Sequence, residues 1–334
     1  MGCSSAALVI SRHIFQVYIT KFAFVFPGQG SQSRGMMDHY ADFPVVRDTF
    51  AEASDILQQD LWQLVAGGSD EELNATVYTQ PLMLTAGVAV YRAWQSLNAP
   101  TPAVLAGHSL GEYTALVVGG ALQFDDALLL VRYRAECMQE AVPKGVGGIA
   151  AILGLDDESV LKVCIEAAQD EVLEAVNFNT LGQVVIAGNR AAVERGMELA
   201  KAKGAKRALM LPMSVPSHCS LLRGAAELLR VRLNEVTMQA PSIPVVHNAD
   251  IKSYTDVLSI KDALVRQLYS PVRWVETVQS FGQKLITHNV ECSPGKVLVA
   301  LNRRIDNNQQ ALTLNDGLAL KSVWAALAEL TEGT

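Results

Sequence analysis

Three things are scarce in this chain of 334 residues: paired cysteines, surplus positive charge and long apolar runs. Its five cysteines, Cys3, Cys137, Cys164, Cys219 and Cys292, are an odd number, widely scattered and without a Cys-x-x-Cys pair. That pattern speaks against a disulfide framework or a zinc site and for a reducing compartment, so a cytoplasmic protein with no metal is expected. Lys and Arg number 27 against 34 Asp and Glu, a formal charge of −7. Such a balance gives no general support to nucleic-acid or membrane-surface binding, and an acidic partner would need a local basic patch. No stretch approaches the roughly 18 to 20 apolar residues of a membrane-crossing helix, so a soluble protein is expected. Repeats and low-complexity tracts are absent too. No acid precedes Asp38, and Arg12 and His13 interrupt the apolar run at the start. Residues 1–20 are therefore read as a leader, an upstream start or an appended segment outside the fold. Met1-Gly2-Cys3 hints at myristoylation, but Ala6 stands where that signal needs Ser or Thr.

What is present is apolar mass, half of all residues, enough to bury one large core or two. Within it, Gly107-His108-Ser109-Leu110-Gly111 is the most informative stretch. Ala103–Ala106 ahead of it reads as a buried strand and Glu112–Leu122 behind it as a helix. A Gly-x-Ser-x-Gly at a strand-to-helix turn thrusts its serine outward, and the free N–H of Leu110 at the helix start faces any oxyanion formed on a carbonyl that Ser109 attacks. The same motif can be a plain small-residue turn packing a helix on a sheet.

Along the chain, Lys21–Phe26 predicts a core strand ending in Pro27-Gly28-Gln29-Gly30-Ser31-Gln32. That loop is either a ligand-facing one at the carboxyl end of a parallel strand or an ordinary glycine turn. Phe43–Val65 has a helical pattern with Trp62 as core anchor, broken by Gly67-Gly68-Ser69. Thr79 predicts an N-cap, with Pro81 just inside, for a helix running towards Leu97. Asp125 predicts the cap of a helix ending at Pro143. On that helix Ala127, Val131, Arg134 and Met138 share one face, so Arg134 sits on an apolar stripe without an acid. A guanidinium there requires an anion, either a substrate carboxylate or an acid from elsewhere in the fold.

Between Gly147 and Met213 the pattern becomes βαββαβ: strands at Ile149–Leu153, Val172–Phe178, Val184–Ala187 and Arg207–Leu211, helices at Asp156–Ala168 and Ala191–Lys203. That order predicts an inserted ferredoxin-like unit. Lys201 to Arg207 is the densest positive segment, which is either a docking patch or a helix end that favours lysine anyway. Pro212 to Cys219 is a proline-bracketed loop that carries His218. His13, His39, His247 and His288 have no companion chemistry in the sequence, and His108 reads as a turn residue with its ring on the sheet surface. Then follow helices at Leu221–Leu233 and Ile260–Tyr269, strands at Val245–Val246 and Leu285–Glu291, a helix towards Arg304 and a closing helix at Ser322–Leu330.

Taken together, Phe26-Pro27-Gly28-Gln29-Gly30-Ser31-Gln32, Gly107 to Tyr113, Arg134 and Val215-Pro216-Ser217-His218 resemble the malonyl-CoA:acyl carrier protein transacylases, from about Phe22 to Leu330. The resemblance implies an α/β fold: a hydrolase-like core with a parallel sheet flanked by helices, over 21–142 and 213–334, plus the ferredoxin-like subdomain at 143–212. It implies Ser109 as nucleophile, His218 as base and Arg134 as the residue that takes the substrate carboxylate. It further implies Gln29 and Leu110 as oxyanion donors through their backbone N–H groups, and Gln267 as the residue whose main-chain carbonyl orients the histidine. The implied reaction is ping-pong transfer from malonyl-CoA to acyl carrier protein, without a cofactor; a monomer is expected, though the sequence itself does not fix the oligomeric state. Ser293-Pro294-Gly295 departs from the family's Gly-Pro-Gly, which leaves that turn open, and residues 1–20 have no counterpart.

Two rivals remain at this level. An α/β-hydrolase of the thioesterase or lipase kind shares Gly-x-Ser-x-Gly but wants an acid between Ser and His and a late His. A non-catalytic carrier-protein docking module would keep a dead site. Within the transferases, a polyketide-type enzyme acting in trans is the variant to weigh.

Overall fold

The computed structural model describes residues 21–213 and 215–332, with the side chains of 330–332 excepted; the leader 1–20, with Cys3 and His13, and loop residue Ser214 lie outside it. Its centre is strand β1 (Lys21–Phe26). Alternation along β1 serves two cores at once: Phe22, Phe24 and Phe26 turn to one face against Trp94, while Ala23 and Val25 turn to the other, with Trp274, Val278 and Phe281. A strand buried on both faces belongs in a parallel sheet. Each buried ring contributes on the order of 2–3 kcal/mol of transfer free energy. β1 is flanked by β2 (Val104–Gly107) and β8 (Ile286–Glu291), and β7 (Val245–Val246) and β9 (Gln310–Thr313) complete a five-stranded sheet of order β7-β2-β1-β8-β9, every pairing parallel. The register sets Phe26 beside Gly107, so the loops after β1 and β2 leave the sheet side by side.

Helices cover this sheet. On the Phe side, α4 (Thr76–Ser96) packs with α1 (Pro44–Leu57), α5 (Gly111–Val118) and α6 (Phe124–Ala141). The helix expected over Phe43–Val65 is two helices, α1 and α2 (Leu61–Gly67): Gln58 turns left-handed at φ 52° and Asp60 caps the second through Gln63 N–H at 2.8 Å. Trp62 is only half-buried, edge-on to Phe50 and covered by Arg47. Thr79 is not a cap: α4 starts at Thr76, and the Thr79 hydroxyl donates back to the carbonyls of Leu73 and Ala75. Likewise Asp125 lies in the first turn of α6, whose N-cap position is Gln123. Four elements were not anticipated: a short 3-10 helix at Asp38–Tyr40, α3 (Asp70–Asn74), closed by a Ser69/Glu72 capping box, α11 (Trp274–Gln283) and β9. The closing helix α13 spans Gly317–Glu332, five residues earlier in its start than its apolar spacing suggests.

A second sheet interrupts the first between α6 and residue 212. Its strands are β3 (Gly147–Leu153), β4 (Leu173–Thr180), β5 (Gln183–Asn189) and β6 (Arg207–Met210), all antiparallel, in the order β4-β5-β3-β6. Helices α7 (Asp157–Ala168) and α8 (Arg190–Ala202) bury one face with Ile152, Val163, Val184 and Ile186. The opposite face, Ile149, Val176 and Val185, closes on Cys219 of the larger body. Val272 joins the two units by hydrogen bonds with Val176 and Phe178 at 2.8 and 3.0 Å. After β6 the chain returns through α9 (Arg223–Glu235), α10 (Val257–Gln267) and α12 (Val297–Ile305). Between β8 and α12, Ser293 Oγ accepts Gly295 N–H at 3.1 Å, which holds the turn where glycine had been expected.

Candidate active site

Ser109 follows β2 and precedes α5, at φ 52° in the left-handed region. Its two glycines are required by crowding: a Cβ on Gly107 would lie 1.8 Å from the Gly111 carbonyl carbon, and one on Gly111 would lie 2.0 Å from Phe26 O. Backbone cannot give way to backbone, so only glycine lets β1, β2 and α5 meet this closely. Gly28 repeats the device, with an added Cβ 2.6 Å from His108 O and 3.6 Å from Leu110 N. The Gln29 loop and the serine turn are thereby pressed together. No acceptor among the described residues takes the backbone N–H of Gln29 or of Leu110. Two donors are therefore unspent beside the serine, as an oxyanion site needs.

His218 reaches the serine from the loop after β6, itself at φ 66° and anchored by its N–H to Leu268 O at 3.0 Å. Its Nδ1 lies 2.7 Å from the main-chain oxygen of Gln267 at the end of α10. A carbonyl only accepts, so Nδ1 carries the proton and Nε2 is left to accept from Ser109 Oγ, 2.8 Å away. Burial, and after it the Arg134 cation, push the imidazole down from 6.5 to about 3, against the pull of the Gln267 carbonyl, and the ring is neutral at neutral pH.

Arg134 is fully buried, and its stripe partners Ala127, Val131 and Met138 are buried with it. Its Nη1 donates to Gln80 Oε1 at 2.7 Å and its Nη2 to Gln267 Oε1 at 2.9 Å and Ser109 Oγ at 3.3 Å, while Nε has no partner. The guanidinium lies over the Tyr113 ring at 5.4 Å. Of the two anion sources open in the sequence, an internal acid is not used: among the described residues Arg134 enters no ion pair. Two neutral amides hold the charge directly, and the acid that acts on it, Glu112, stands behind the Gln267 amide and not in contact.

Ser109, His218 and Arg134 thus converge, with Gln267 joining them and the loops of Gln29 and Leu110 alongside. They line a chamber of about 60 Å³ with Gln80 and Met138. A water needs roughly 10–15 Å³ of such space, so the chamber has room for a short acyl group. It opens, through Gln29, Met213 and Ser217, into an outer cleft of about 660 Å³ bordered by Asn74 and Lys144.

Other expectations need correction. The His108 ring is not on the sheet surface: its Nε2 lies 2.8 Å from Asn179 Oδ1 on β4, with the ring tilted against Trp274, and burial lowers its pKa. His247 does have companion chemistry, since its Nδ1 lies 2.7 Å from Glu112 Oε1 and both side chains are wholly buried. Glu112, Asn248 and Gln80 were missed altogether. Gln80 left a signal, as the amide directly before the apolar run Pro81-Leu82-Met83-Leu84, whereas Glu112 reads in sequence as an ordinary first-turn acid. In the basic segment Lys203 pairs with Glu166 at 2.7 Å, and Arg207 is exposed at the start of β6. Among the described residues no group of three His, Cys, Asp or Glu could hold a metal, and no helix is long and apolar enough to cross a membrane.

The Acyl transferase domain family matches residues 23–313. A malonyl CoA-acyl carrier protein transacylase of Salmonella typhimurium is 53% identical over 305 residues, covering 91% of this chain and 99% of that protein. The structure of an acyl-carrier-protein S-malonyltransferase from Burkholderia pseudomallei matches with a TM-score of 0.90 at 56% identity, over 92% of this chain and all of its own. A malonyl-transacylase structure in complex with its type II PKS acyl-carrier protein gives 0.91 at 49% identity, with 92% and 100% covered. Similar in both sequence and fold across nearly its whole described length, the chain belongs to the malonyl CoA-acyl carrier protein transacylase family of acyl transferases.

Proposed function

We propose that this chain transfers a malonyl group from malonyl-CoA to the phosphopantetheine thiol of acyl carrier protein, through an ester on Ser109. In the first half, Ser109 Oγ gives its proton to His218 Nε2 and bonds to the thioester carbonyl carbon. The resulting oxyanion is held by the N–H groups of Gln29 and Leu110. Collapse breaks the C–S bond, and the CoA sulfur takes the proton from His218. In the second half the carrier's thiol gives its proton to His218, its sulfur attacks the ester, the C–Oγ bond breaks, and Ser109 is reprotonated. Gln267 keeps the imidazole in one tautomer through its carbonyl. Arg134 pairs with the free carboxylate of the malonyl group, replacing weaker contacts with amides by a charge-assisted pair.

A single observation carries this reading: a buried guanidinium without a carboxylate partner, in contact with the serine that the histidine addresses. It also separates the transferase from the triad hydrolase, since His218 Nδ1 is taken by a carbonyl and not by an acid. The room in the chamber is enough for a short acyl group such as malonyl. We read the chain as a hydrolase-like core, 21–142 with 213–334, and a ferredoxin-like subdomain, 143–212. The separate buried clusters of the two sheets support that division. The enzyme needs no cofactor in this account, and it is expected to work in the cytoplasm as a monomer. The test is stopped-flow release of CoA from malonyl-CoA. A burst equal to the enzyme present, followed by slow turnover that a pantetheine thiol restores, supports the transferase; steady CoA release without any thiol means a hydrolase.

A further inference from the structure

Glu112 is a fully buried carboxylate in the first turn of α5, three residues past the nucleophile, and the transfer described above does not use it. Its Oε1 faces His247 Nδ1 at 2.7 Å; its Oε2 accepts the Asn248 backbone N–H at 2.9 Å and Gln267 Nε2 at 2.8 Å. A buried carboxylate is costly unless its lone pairs are filled, and here they are. Two of the three partners lead straight to the reacting groups. Asn248 Oδ1 accepts Ser109 N–H at 2.7 Å and its Nδ2 donates to Gly107 O at 2.6 Å, which clamps the strained turn on both sides of the serine. The Gln267 side chain donates to Ser109 O at 3.0 Å and accepts from Arg134 Nη2 at 2.9 Å, while its main-chain oxygen holds His218 Nδ1. Gln267 therefore touches nucleophile, base and cation at once, and Glu112 fixes the end of its side chain.

We propose that Glu112 is a positioning residue for acyl transfer: through Gln267 and Asn248 it sets Ser109, His218 and Arg134 at their mutual distances. It touches no substrate atom. The proposal rests on the reading of Ser109 as the acyl-carrying group. Because the base and the serine are held by the same link as the arginine, loss of Glu112 slows transfer of charged and uncharged acyl groups alike. That sets it apart from Arg134, whose loss falls more heavily on malonyl than on an uncharged acyl group.

Glu112→Gln separates geometry from charge. The amide oxygen still serves Asn248 N–H and Gln267 Nε2. Its NH2 then faces His247, whose ring can accept at Nδ1 by carrying its proton on Nε2, an atom without a partner among the described residues. Glu112→Ala removes the anchor. The experiment measures kcat and KM for malonyl-CoA and acetyl-CoA, per folded enzyme as judged by thermal melts, for Glu112→Ala, Glu112→Gln, Gln267→Leu and the Ala/Leu double variant. A hydrogen bond to a charged group is worth about 1.5–3 kcal/mol, so Glu112→Ala is expected to lower kcat roughly 10- to 100-fold with both donors, at a nearly unchanged KM. Glu112→Gln is expected to recover most of that loss. Gln267→Leu keeps the main-chain carbonyl and is expected to lose kcat on its own, so the test survives if Glu112→Ala does not fold. The double variant should lose clearly less than the product of the two single losses, because Gln267 is one of the two links through which Glu112 acts. A Gln267→Leu enzyme with wild-type kcat, a Glu112→Gln enzyme as slow as the alanine variant, or multiplied losses in the double variant overturns the proposal. A wild-type enzyme that forms no malonyl ester overturns instead the reading of Ser109 on which it rests.

Discussion

Ser109 Oγ and His218 Nε2 lie 2.8 Å apart although 109 positions separate them in the chain, and each sits on left-handed backbone. Non-glycine residues in that region cost of order 1–3 kcal/mol each and persist only where their surroundings over-determine them. Here the surroundings are visible: Asn248 on the serine's N–H, Leu268 on the histidine's N–H, and glycines 107 and 111 closing the turn. Strain at both ends of one hydrogen bond marks the place where the fold gives up stability for chemistry.

Arg134→Ala is expected to erase the preference for malonyl-CoA over acetyl-CoA. Loss of a charge-assisted pair of about 1.5–3 kcal/mol corresponds to roughly 10- to 100-fold in the ratio of kcat/KM values. Competition between the two donors measures it directly. An unchanged ratio means that the carboxylate is recognised elsewhere.

Gly111→Ala is expected to destabilise the protein by on the order of 3 kcal/mol or more, because the new Cβ meets Phe26 O at 2.0 Å and neither backbone can move alone. Gly30→Ala is a useful contrast. That Cβ would meet nothing within 4 Å, and only the positive φ of 102° opposes it. Chemical denaturation of the two variants should rank them in that order.

Much of this was legible in the sequence. The Gly-x-Ser-x-Gly turn carries its flanking strand and helix in its own composition, and the apolar stripe around Arg134 announces a buried cation. The βαββαβ order was readable because alternation and helical period switch cleanly between Gly147 and Met213. What escaped depends on contacts far along the chain. The partners of Glu112 lie 135 to 155 positions away, so nothing local distinguishes it from a solvated helix-start acid. His247 was passed over for the same reason. The break at Gln58 was hidden because a left-handed glutamine has no sequence signature of the kind that glycine gives, and β9 because it has four residues of which only Ala311 is buried, too few to show an alternation.

The buried imidazole ties stability to pH. In the unfolded chain His218 has its ordinary value of 6.5, and burial in the fold pushes it down to about 3. Below 6.5 the unfolded chain takes up a proton that the folded one refuses, so this contribution is fully present above 6.5 and is lost as pH falls through about 3. Linkage sets the slope at up to about 1.4 kcal/mol per pH unit. Between pH 6.5 and 5 the wild type should lose roughly 2 kcal/mol more than His218→Asn, as read from urea midpoints. Parallel pH profiles for the two proteins would show that the ring is not held neutral.

We propose the exposed basic segment from Lys201 to Arg207 as the docking surface for an acidic carrier. Reversing Lys201, Lys206 and Arg207 to Glu is expected to raise the KM for acyl carrier protein several-fold and to flatten its salt dependence, with the KM for malonyl-CoA unchanged. An unaltered carrier KM would assign docking to another face.

The most direct measurement is the intact mass of the protein after brief mixing with malonyl-CoA in the absence of any thiol acceptor. One malonyl group per chain is predicted for the wild type, none for Ser109→Ala, and its loss on adding pantetheine. A wild-type protein that stays unmodified, or an adduct that persists in Ser109→Ala, contradicts the account.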